Sequence, residues 1–216
     1  MHLGVCSGGK LWVTKIKNPP HLALNAYLMS SPSCVEPSAA QRDTIAWLER
    51  AVIGLNLCPF AKAVHVKGQI RYAVFVGTDP EALLEMLSAE LKHLQAADPA
   101  SLDTTLLIAP NCLPNFLDFN DFLALADRVV RQLGLEGEIQ IASLHPQYQF
   151  ADAAPDAISN YTNRSPYPTL HLLREASIDR AVAAFPNPEA IFETNIHRME
   201  TLGLNGWNAL GLKVTP

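Results

Sequence analysis

The chain has 216 residues, of which 49% are hydrophobic and 17% are charged, so it is long and apolar enough to form one domain with a substantial core. Its formal charge is −5, and because residues 1–41 carry three Lys and one Glu (+2), residues 42–216 carry −7. DNA, RNA and anionic membranes attract clusters of Lys and Arg, so this acidic balance argues against nucleic-acid and membrane partners.

The first 40 residues differ in composition from the rest of the chain. Gly, Pro, Ser and Lys recur there, acidic residues are nearly absent, and no helical or strand period persists. We expect residues 1–40 to be a disordered N-terminal tail. Alternatively, Met29 is a natural start and residues 1–28 are an upstream extension of the reading frame. Residues 41–205 are expected to form a single globular domain, and residues 206–216 a C-terminal tail.

Helical and strand patterns then alternate along the chain. After a first helix, a β-branched strand ends at Gly77, and Thr78 and Glu81 have the spacing of a capping box for the next helix. The predicted helices span residues 40–57, 80–96, 119–133, 177–185 and 187–203, and the predicted strands span residues 69–77, 103–110, 138–143 and 169–173.

This order of elements predicts an α/β (or α+β) fold. Strands that alternate with helices form βαβ crossovers, which place the helices over a small layered sheet of about four strands. The connection before the fourth strand contains no evident helix, so we expect that strand to be antiparallel. In open α/β sheets ligands bind beyond the carboxyl ends of the strands, and Asn111, Cys112 and His145 follow the second and third strands.

The segment from His145 to Glu175 is dense in side chains that form specific hydrogen bonds, and four prolines stiffen it. Ordered polar loops of this kind often bind ligands. Arginine offers a planar fork for carboxylate or phosphate, and asparagine can orient such a group. The alternative is a self-bonded loop and a solvated strand face. The candidate ligand-binding residues are Tyr148, Asn160, Asn163, Arg164, His171 and Arg174.

Two residues are candidates for catalysis. His145 is a candidate general base, and the alternative is a ring that only hydrogen-bonds a loop carbonyl. Cys58, in LNLCPFA, is a candidate nucleophile or redox thiol if it begins a helical turn. If Cys58 instead ends the preceding helix, the helix dipole raises its pKa, which favours a buried structural thiol.

Motifs for metals, nucleotides, membranes and secretion are absent from the sequence. The histidines are separated without His-x-x-x-His spacing, and there is no phosphate loop, G-x-G-x-x-G or G-x-S-x-G motif. The four cysteines form no C-x-x-C pair, no apolar run is long enough for a membrane span, and no secretory signal is present. We therefore predict no metal, leave the cofactor open, and expect a cytoplasmic protein with reduced thiols.

Four motifs coincide with segments described above: GLNLCPFA (54–61), LHPQYQF (144–150), NYTNRSPYPTLHLLRE (160–175) and NPEAIFETNIHRMETLG (187–203). Together they resemble an uncharacterised bacterial family, a domain of unknown function found in proteobacteria and their relatives. The resemblance extends from Gln41 to about Gly203. It implies a bacterial cytoplasmic domain, and it implies no activity, cofactor or catalytic residue.

The residues thus predict a small-molecule enzyme of hydrolase or transferase type that acts on an anionic metabolite. Arg164, helped by Arg174, would hold the anion, the asparagines would orient it, and His145 would transfer a proton. One alternative is a non-catalytic metabolite-binding domain, which needs no titrating group. Another is a protein-interaction domain that uses the aromatic residues of the polar segment. The sequence does not predict the oligomeric state.

Overall fold

The structure is a computed structural model that describes residues 38–183 and 190–213. Its α-helices are α1 (Ala39–Trp47), α2 (Ala61–Val66), α3 (Pro80–Ala96), α4 (Phe116–Gln132), α5 (Glu175–Ala183) and α6 (Ala190–Ala209). Its strands are β1 (Ile70–Val74), β2 (Thr104–Ile108), β3 (Ile139–Leu144) and β4 (Thr169–Arg174). A π-helical segment (Leu48–Ile53) continues α1, and a 3₁₀ helix (Ile158–Thr162) precedes β4.

The four strands form one mixed sheet in the order β1-β2-β4-β3. β1 and β2 are parallel neighbours joined through α3, which is the predicted βαβ crossover. β4 lies between β2 and β3 and is antiparallel to both. The α/β fold and the antiparallel fourth strand are therefore confirmed.

One face of the sheet is covered by α3 and α4. Leucines along α3 and apolar residues along α4 are buried against strand residues that include Leu107, Leu170 and Leu172. These three leucines are at most 1% exposed. We refer to this side of the sheet as the packed face.

Side-chain caps fix where the two covering helices begin. The prediction that Thr78 caps α3 is wrong, because Asp79 is the N-cap and its carboxylate accepts hydrogen bonds from the N–H groups of Glu81 and Ala82. α4 begins before its predicted start because the Asn115 side chain accepts hydrogen bonds from two backbone N–H groups. Each cap satisfies donors that the first helical turn leaves free.

The opposite face of the sheet is covered by α1, the π-helical segment and α6. Trp47, Met199 and Trp207 form the centre of a second apolar cluster there, and all three are at most 4% exposed. Side chains of alternate strand residues, such as Leu106, point to this side, because successive side chains of a strand point to opposite faces. This side is the cavity face, since its helices leave part of the sheet uncovered.

The C-terminal region is part of the folded domain. Residues from 206 onward were expected to form a tail, but α6 continues to Ala209 and Trp207 is buried. Gly203, the predicted helix end, is a kink with φ of 61° inside α6. Beyond the helix, the Lys213 ammonium donates to the Tyr167 hydroxyl at 2.8 Å. Of the N-terminal tail predicted for residues 1–40, residues 1–37 lie outside the described residues, whereas Ser38 caps α1 and Ala39 and Ala40 begin it. The helix start predicted at residues 187–188 also lies outside the described residues.

Two short helical elements, α2 and the 3₁₀ helix, were not predicted from the sequence. α2 is too short for a helical period to show in the sequence, and the 3₁₀ helix lies inside the polar segment. None of the described helices is both long and apolar enough to cross a membrane.

Candidate functional site

A cavity of about 1980 Å³ lies on the cavity face of the sheet. Its floor consists of side chains from all four strands, and its walls come from the π-helical segment, α2, α5, α6 and the loop around residues 150–153. Most of this lining is apolar. The floor residues are Ile70, Thr104, Leu106, Leu144, His171 and Leu173.

The charged residues of the lining do not favour anions. Two cations, Lys67 and Arg180, are opposed by three carboxylates, Asp98, Asp103 and Asp152. The described lining therefore has one more formal negative charge than positive charge. A pocket for a carboxylate or phosphate usually presents an excess of Arg or Lys donors.

The π-helical segment gives the cavity one of its walls. Its wider turn is closed by a hydrogen bond from the Gly54 N–H to the Glu49 carbonyl at 2.9 Å, and it presents Leu48 and Val52 to the cavity. A Cβ atom at Gly54 would stand 2.3 Å from the Arg50 carbonyl oxygen, so the turn requires glycine. π-helical turns are rare and frequently occur at functional sites.

Two polar side chains of the floor form a hydrogen-bonded pair. His171 Nε2 lies 2.8 Å from the Thr104 hydroxyl oxygen, and that hydroxyl lies 2.6 Å from the Leu172 carbonyl oxygen. Burial lowers the pKa of His171 to about 4, so the ring is uncharged at neutral pH. The pair links β2 to β4 and gives the apolar floor one hydrogen-bonding position.

A second polar group lies where β2 begins and α5 follows β4. The Ser177 hydroxyl donates to the Asp103 carboxylate at 2.5 Å and accepts from the Arg180 guanidinium at 3.0 Å. All three side chains line the cavity. Because Ser177 joins a cation to an anion, the group is already balanced in charge.

A third polar position lies shortly after the π-helical segment in the chain. Cys58 and Asn163 are half-buried and line the cavity, as does Asn195 of α6. The Asn195 amide donates to the Leu57 carbonyl at 2.7 Å, which brings α6 next to the chain just before Cys58. Of the predicted site residues, only Cys58, Asn163 and His171 line the cavity.

His145 is fully buried and makes hydrogen bonds through both ring nitrogens. Nδ1 accepts from the Gln147 N–H at 3.0 Å, so Nε2 carries the hydrogen and donates to the Leu113 carbonyl at 3.1 Å. The rings of Phe116 and Phe119 lie 5.4 and 5.0 Å away. Burial lowers the pKa of His145, which keeps the ring neutral. These contacts join the end of β3 to α4 and to the residues before it, so His145 holds these segments in position.

Asn160 holds the polar segment together. It is 0% exposed, its side-chain oxygen accepts from the Phe150 N–H at 3.0 Å, and its amide donates to the Ala154 and Pro155 carbonyls at 2.8 and 3.4 Å. These bonds use both ends of the amide. They fix the loop that carries Phe150, a wall residue of the cavity.

The donors of Arg164 are directed at the same loop. Its guanidinium donates to the Tyr148 carbonyl at 3.2 Å and the Pro155 carbonyl at 2.8 Å, and it lies 4.3 Å from the centre of the Tyr161 ring. The Tyr148 ring packs 5.0 Å from the Phe150 ring. Arg164 and Tyr148 thus stabilise the loop behind the cavity and are not among its lining residues.

Arg174 has a similar role at the end of α3. Its guanidinium donates to the carbonyls of Leu94 and Ala97, the latter at 2.8 Å, and to the Leu102 carbonyl at 3.3 Å. Carbonyl groups at a helix C-terminus lack partners within the helix, and a guanidinium satisfies several at once. Arg174 therefore fixes the connection between α3 and β2.

The predicted ligand crevice at the carboxyl ends of the strands is filled by the protein's own contacts. The Asn111 amide donates to the Val76 carbonyl at 3.1 Å, and the Cys112 thiol lies 3.5 Å from the Thr78 carbonyl. Burial raises the pKa of the Cys112 thiol. The next residue, Leu113, is the carbonyl partner of His145 Nε2, and the large cavity lies over the sheet face instead.

Several cavity residues were not predicted, although the sequence contains weak signals for them. Thr104 is a polar residue at the start of a strand of leucines, and Ser177 and Arg180 are three residues apart on α5, the spacing of neighbours on one helix face. Their convergence depends on contacts between distant parts of the chain. Among the described residues, no three His, Cys, Asp or Glu side chains lie close enough together to hold a metal ion.

Comparison with known proteins places the chain in a family. A family model described as "Protein of unknown function (DUF1415)" matches residues 39–209, which include every described helix and strand. No curated protein and no solved structure matches the chain. Because the family model covers most of the chain and the whole sheet with its cavity, the protein belongs to the DUF1415 family.

Proposed function

We propose that the protein binds a small, mainly apolar molecule in the cavity over its sheet. The observation that carries this proposal is the cavity itself, about 1980 Å³ in volume and lined mostly by apolar side chains with a few polar groups. Ligand pockets typically measure about 300–1000 Å³ and have this kind of lining. The larger volume suits an extended or multi-ring molecule.

The contacts of the polar segment support binding more than acid–base chemistry. His145 uses both ring nitrogens on backbone groups, and Arg164 and Arg174 direct their donors at backbone carbonyls. The positions of these residues therefore do not support the predicted mechanism, in which the arginines hold an anionic metabolite and His145 transfers a proton. Bacterial origin, cytoplasmic location and the absence of nucleic-acid and membrane partners stay proposals from the sequence.

The binding test uses Nile red, an uncharged apolar dye whose fluorescence rises when it leaves water. The full chain should bind the dye with a saturable rise in fluorescence. The double variant Ala63→Trp/Ala181→Trp places two indoles in the cavity from α2 and α5, and it should bind the dye about ten-fold more weakly.

The matched control is Lys62→Trp/Val182→Trp, which adds the same two indoles at neighbouring exposed positions that do not line the cavity. This control should bind Nile red as the unchanged protein does. Absence of saturable binding to the unchanged protein, or equal weakening by both double variants, would contradict the proposal.

Catalysis through Cys58 is a second candidate function. Its thiol is half-buried and lines the cavity, where a bound molecule can reach it, whereas Cys112 is 1% exposed. A catalytic thiol must be reactive near neutral pH. The test is the rate of iodoacetamide modification of Cys58 at pH 7, resolved by peptide mass spectrometry and compared with glutathione. A faster rate supports catalysis, and a slower rate makes Cys58 a wall residue only.

A further inference from the structure

His171 lies on the floor of the cavity, on the inner strand β4. Its neighbours Leu170 and Leu172 are 1% and 0% exposed and pack into the core of the packed face. Because side chains alternate across a strand, His171 is held on the cavity side. Turning it away would need a one-residue shift of register, which would move both leucines out of the core.

The contacts of Thr104 determine which nitrogen of His171 carries the hydrogen. A hydroxyl has one hydrogen, and Thr104 donates it to the Leu172 carbonyl at 2.6 Å. The 2.8 Å contact with His171 is therefore a hydrogen bond from Nε2–H to the Thr104 oxygen. This leaves Nδ1 of the neutral ring with a lone pair and no hydrogen.

Nδ1 is thus a free acceptor. Burial lowers the pKa of His171 to about 4, so protonation does not convert Nδ1 into a donor at neutral pH. No group in residues 38–183 and 190–213 donates a hydrogen bond to it. By contrast, both nitrogens of His145 have backbone partners. The His171 side chain is half-buried and lines the cavity, so a donor group of a bound molecule can reach this acceptor.

We propose that His171 anchors the ligand by accepting, at Nδ1, a hydrogen bond from an uncharged hydroxyl or N–H group. This inference rests on the proposed function and names its ligand class: a mainly apolar molecule with an uncharged donor. A carboxylate or phosphate would meet a lone pair at this position and a lining with an excess of carboxylates. Thr104 is a positioning residue, because it fixes the ring and its tautomer through its contact with Nε2.

The test compares three ligands that share one ring system. 2-Naphthol has an uncharged donor at pH 7, 2-methoxynaphthalene lacks the donor, and 2-naphthoate is an anion. Each is measured by its displacement of Nile red from the full chain. We expect 2-naphthol to bind about five-fold more tightly than 2-methoxynaphthalene, as one net hydrogen bond allows, and 2-naphthoate to bind most weakly.

The decisive variant is His171→Phe, which keeps a ring of similar size and removes the acceptor. It should bind 2-naphthol and 2-methoxynaphthalene equally while still binding Nile red. His171→Gln keeps a side-chain acceptor and should retain part of the preference. If His171→Phe does not fold, Thr104→Val gives the same decision, because a ring that is no longer fixed should lower the preference for the hydroxyl.

The outcomes separate this inference from the function on which it rests. Equal affinity of the unchanged protein for 2-naphthol and 2-methoxynaphthalene overturns the anchor but leaves cavity binding standing. An unchanged preference in both His171→Phe and Thr104→Val also overturns the anchor, as does tightest binding of 2-naphthoate. Failure of every naphthalene and of Nile red to bind overturns both proposals.

Discussion

The two faces of the sheet differ in how completely helices cover them. On the packed face, α3 and α4 cover the strands with leucine and phenylalanine side chains that are nearly all fully buried. On the cavity face, α1, the π-helical segment and α6 pack against one another and leave about 1980 Å³ open above the floor. The first face therefore supplies most of the apolar burial and of the stability, and the second leaves part of the sheet uncovered.

The difference between the faces also separates two uses of polar residues. Arg164, Arg174, His145 and Asn160 direct their polar atoms at backbone groups and hold loops and helix ends in place. His171 keeps one nitrogen without a partner among the described residues. Polar residue types alone do not distinguish these uses, because the distinction lies in whether the polar atoms are already occupied.

The largest expected effect comes from neighbouring leucines of β2 that face opposite sides. Leu107→Ala, on the packed face, should lower the free energy of unfolding by about 3 kcal/mol, since it leaves a cavity in a close-packed core. Leu106→Ala, on the cavity floor, should cost about half as much, because the space beside it is already open. Urea denaturation measures both values, and equal losses would contradict the contrast between the faces.

The next effect concerns the loop that forms one wall of the cavity. Asn160→Ala should lower the free energy of unfolding by about 2 kcal/mol, because it leaves the Phe150 N–H and the Ala154 carbonyl without their partner. Asn163→Ala is the control, since Asn163 is only half-buried and should cost clearly less. The measurement is again urea denaturation. A larger loss in the Asn163 variant would show that the wall is held differently.

The third prediction is a pH dependence of stability. The folded pKa of His171 is about 4 and its ordinary value is 6.5, so the unfolded chain takes up a proton first as the pH falls. Its contribution is complete above pH 6.5 and is lost between about pH 6.5 and 4, by about 1–2 kcal/mol after allowance for the open cavity.

Thermal or urea unfolding across that pH range measures the effect. His171→Gln should flatten the slope, although the buried His145 leaves part of it, because its pKa is also lowered. The matched control His93→Gln replaces an exposed histidine on α3 and should keep the full slope. An unchanged slope in the His171 variant would show that this ring is more hydrated than its contacts indicate.

The smallest expected effect is that of Arg164→Ala. It should lower the free energy of unfolding by about 1 kcal/mol, because the Tyr148 and Pro155 carbonyls lose a half-buried donor. It should leave the affinity for Nile red within about two-fold, since Arg164 does not line the cavity. A loss of ligand binding without loss of stability would return Arg164 to the role of an anion-binding residue.

The fold was largely predictable because its signals are local. Strand β1 ends near a glycine, α3 begins at an Asp-Pro pair, and leucines recur along α3 at helical spacing. The missed elements are the ones that local patterns encode weakly. α2 has only six residues and the 3₁₀ helix only five, and the wider turn of the π-helical segment does not show in the pattern of the first predicted helix, which includes it.

The site was less predictable because its members are far apart in the chain. Of the site residues predicted from the sequence, Cys58, Asn163 and His171 line the cavity, and the other five hold the surrounding loops and helix ends. Both groups consist of the same polar residue types. Only the hydrogen-bond partners of each side chain, which the sequence does not show, tell them apart.

By itself, then, the amino-acid sequence determined the α/β class, the order of the elements and the segments rich in polar side chains, since periodicity, caps and composition act over a few residues. The tertiary structure decided where the cavity lies and which polar atoms remain free within it. The reason is that His171 meets Thr104 across 67 residues and Ser177 meets Asp103 across 74, through strand pairing and helix packing that no local pattern specifies.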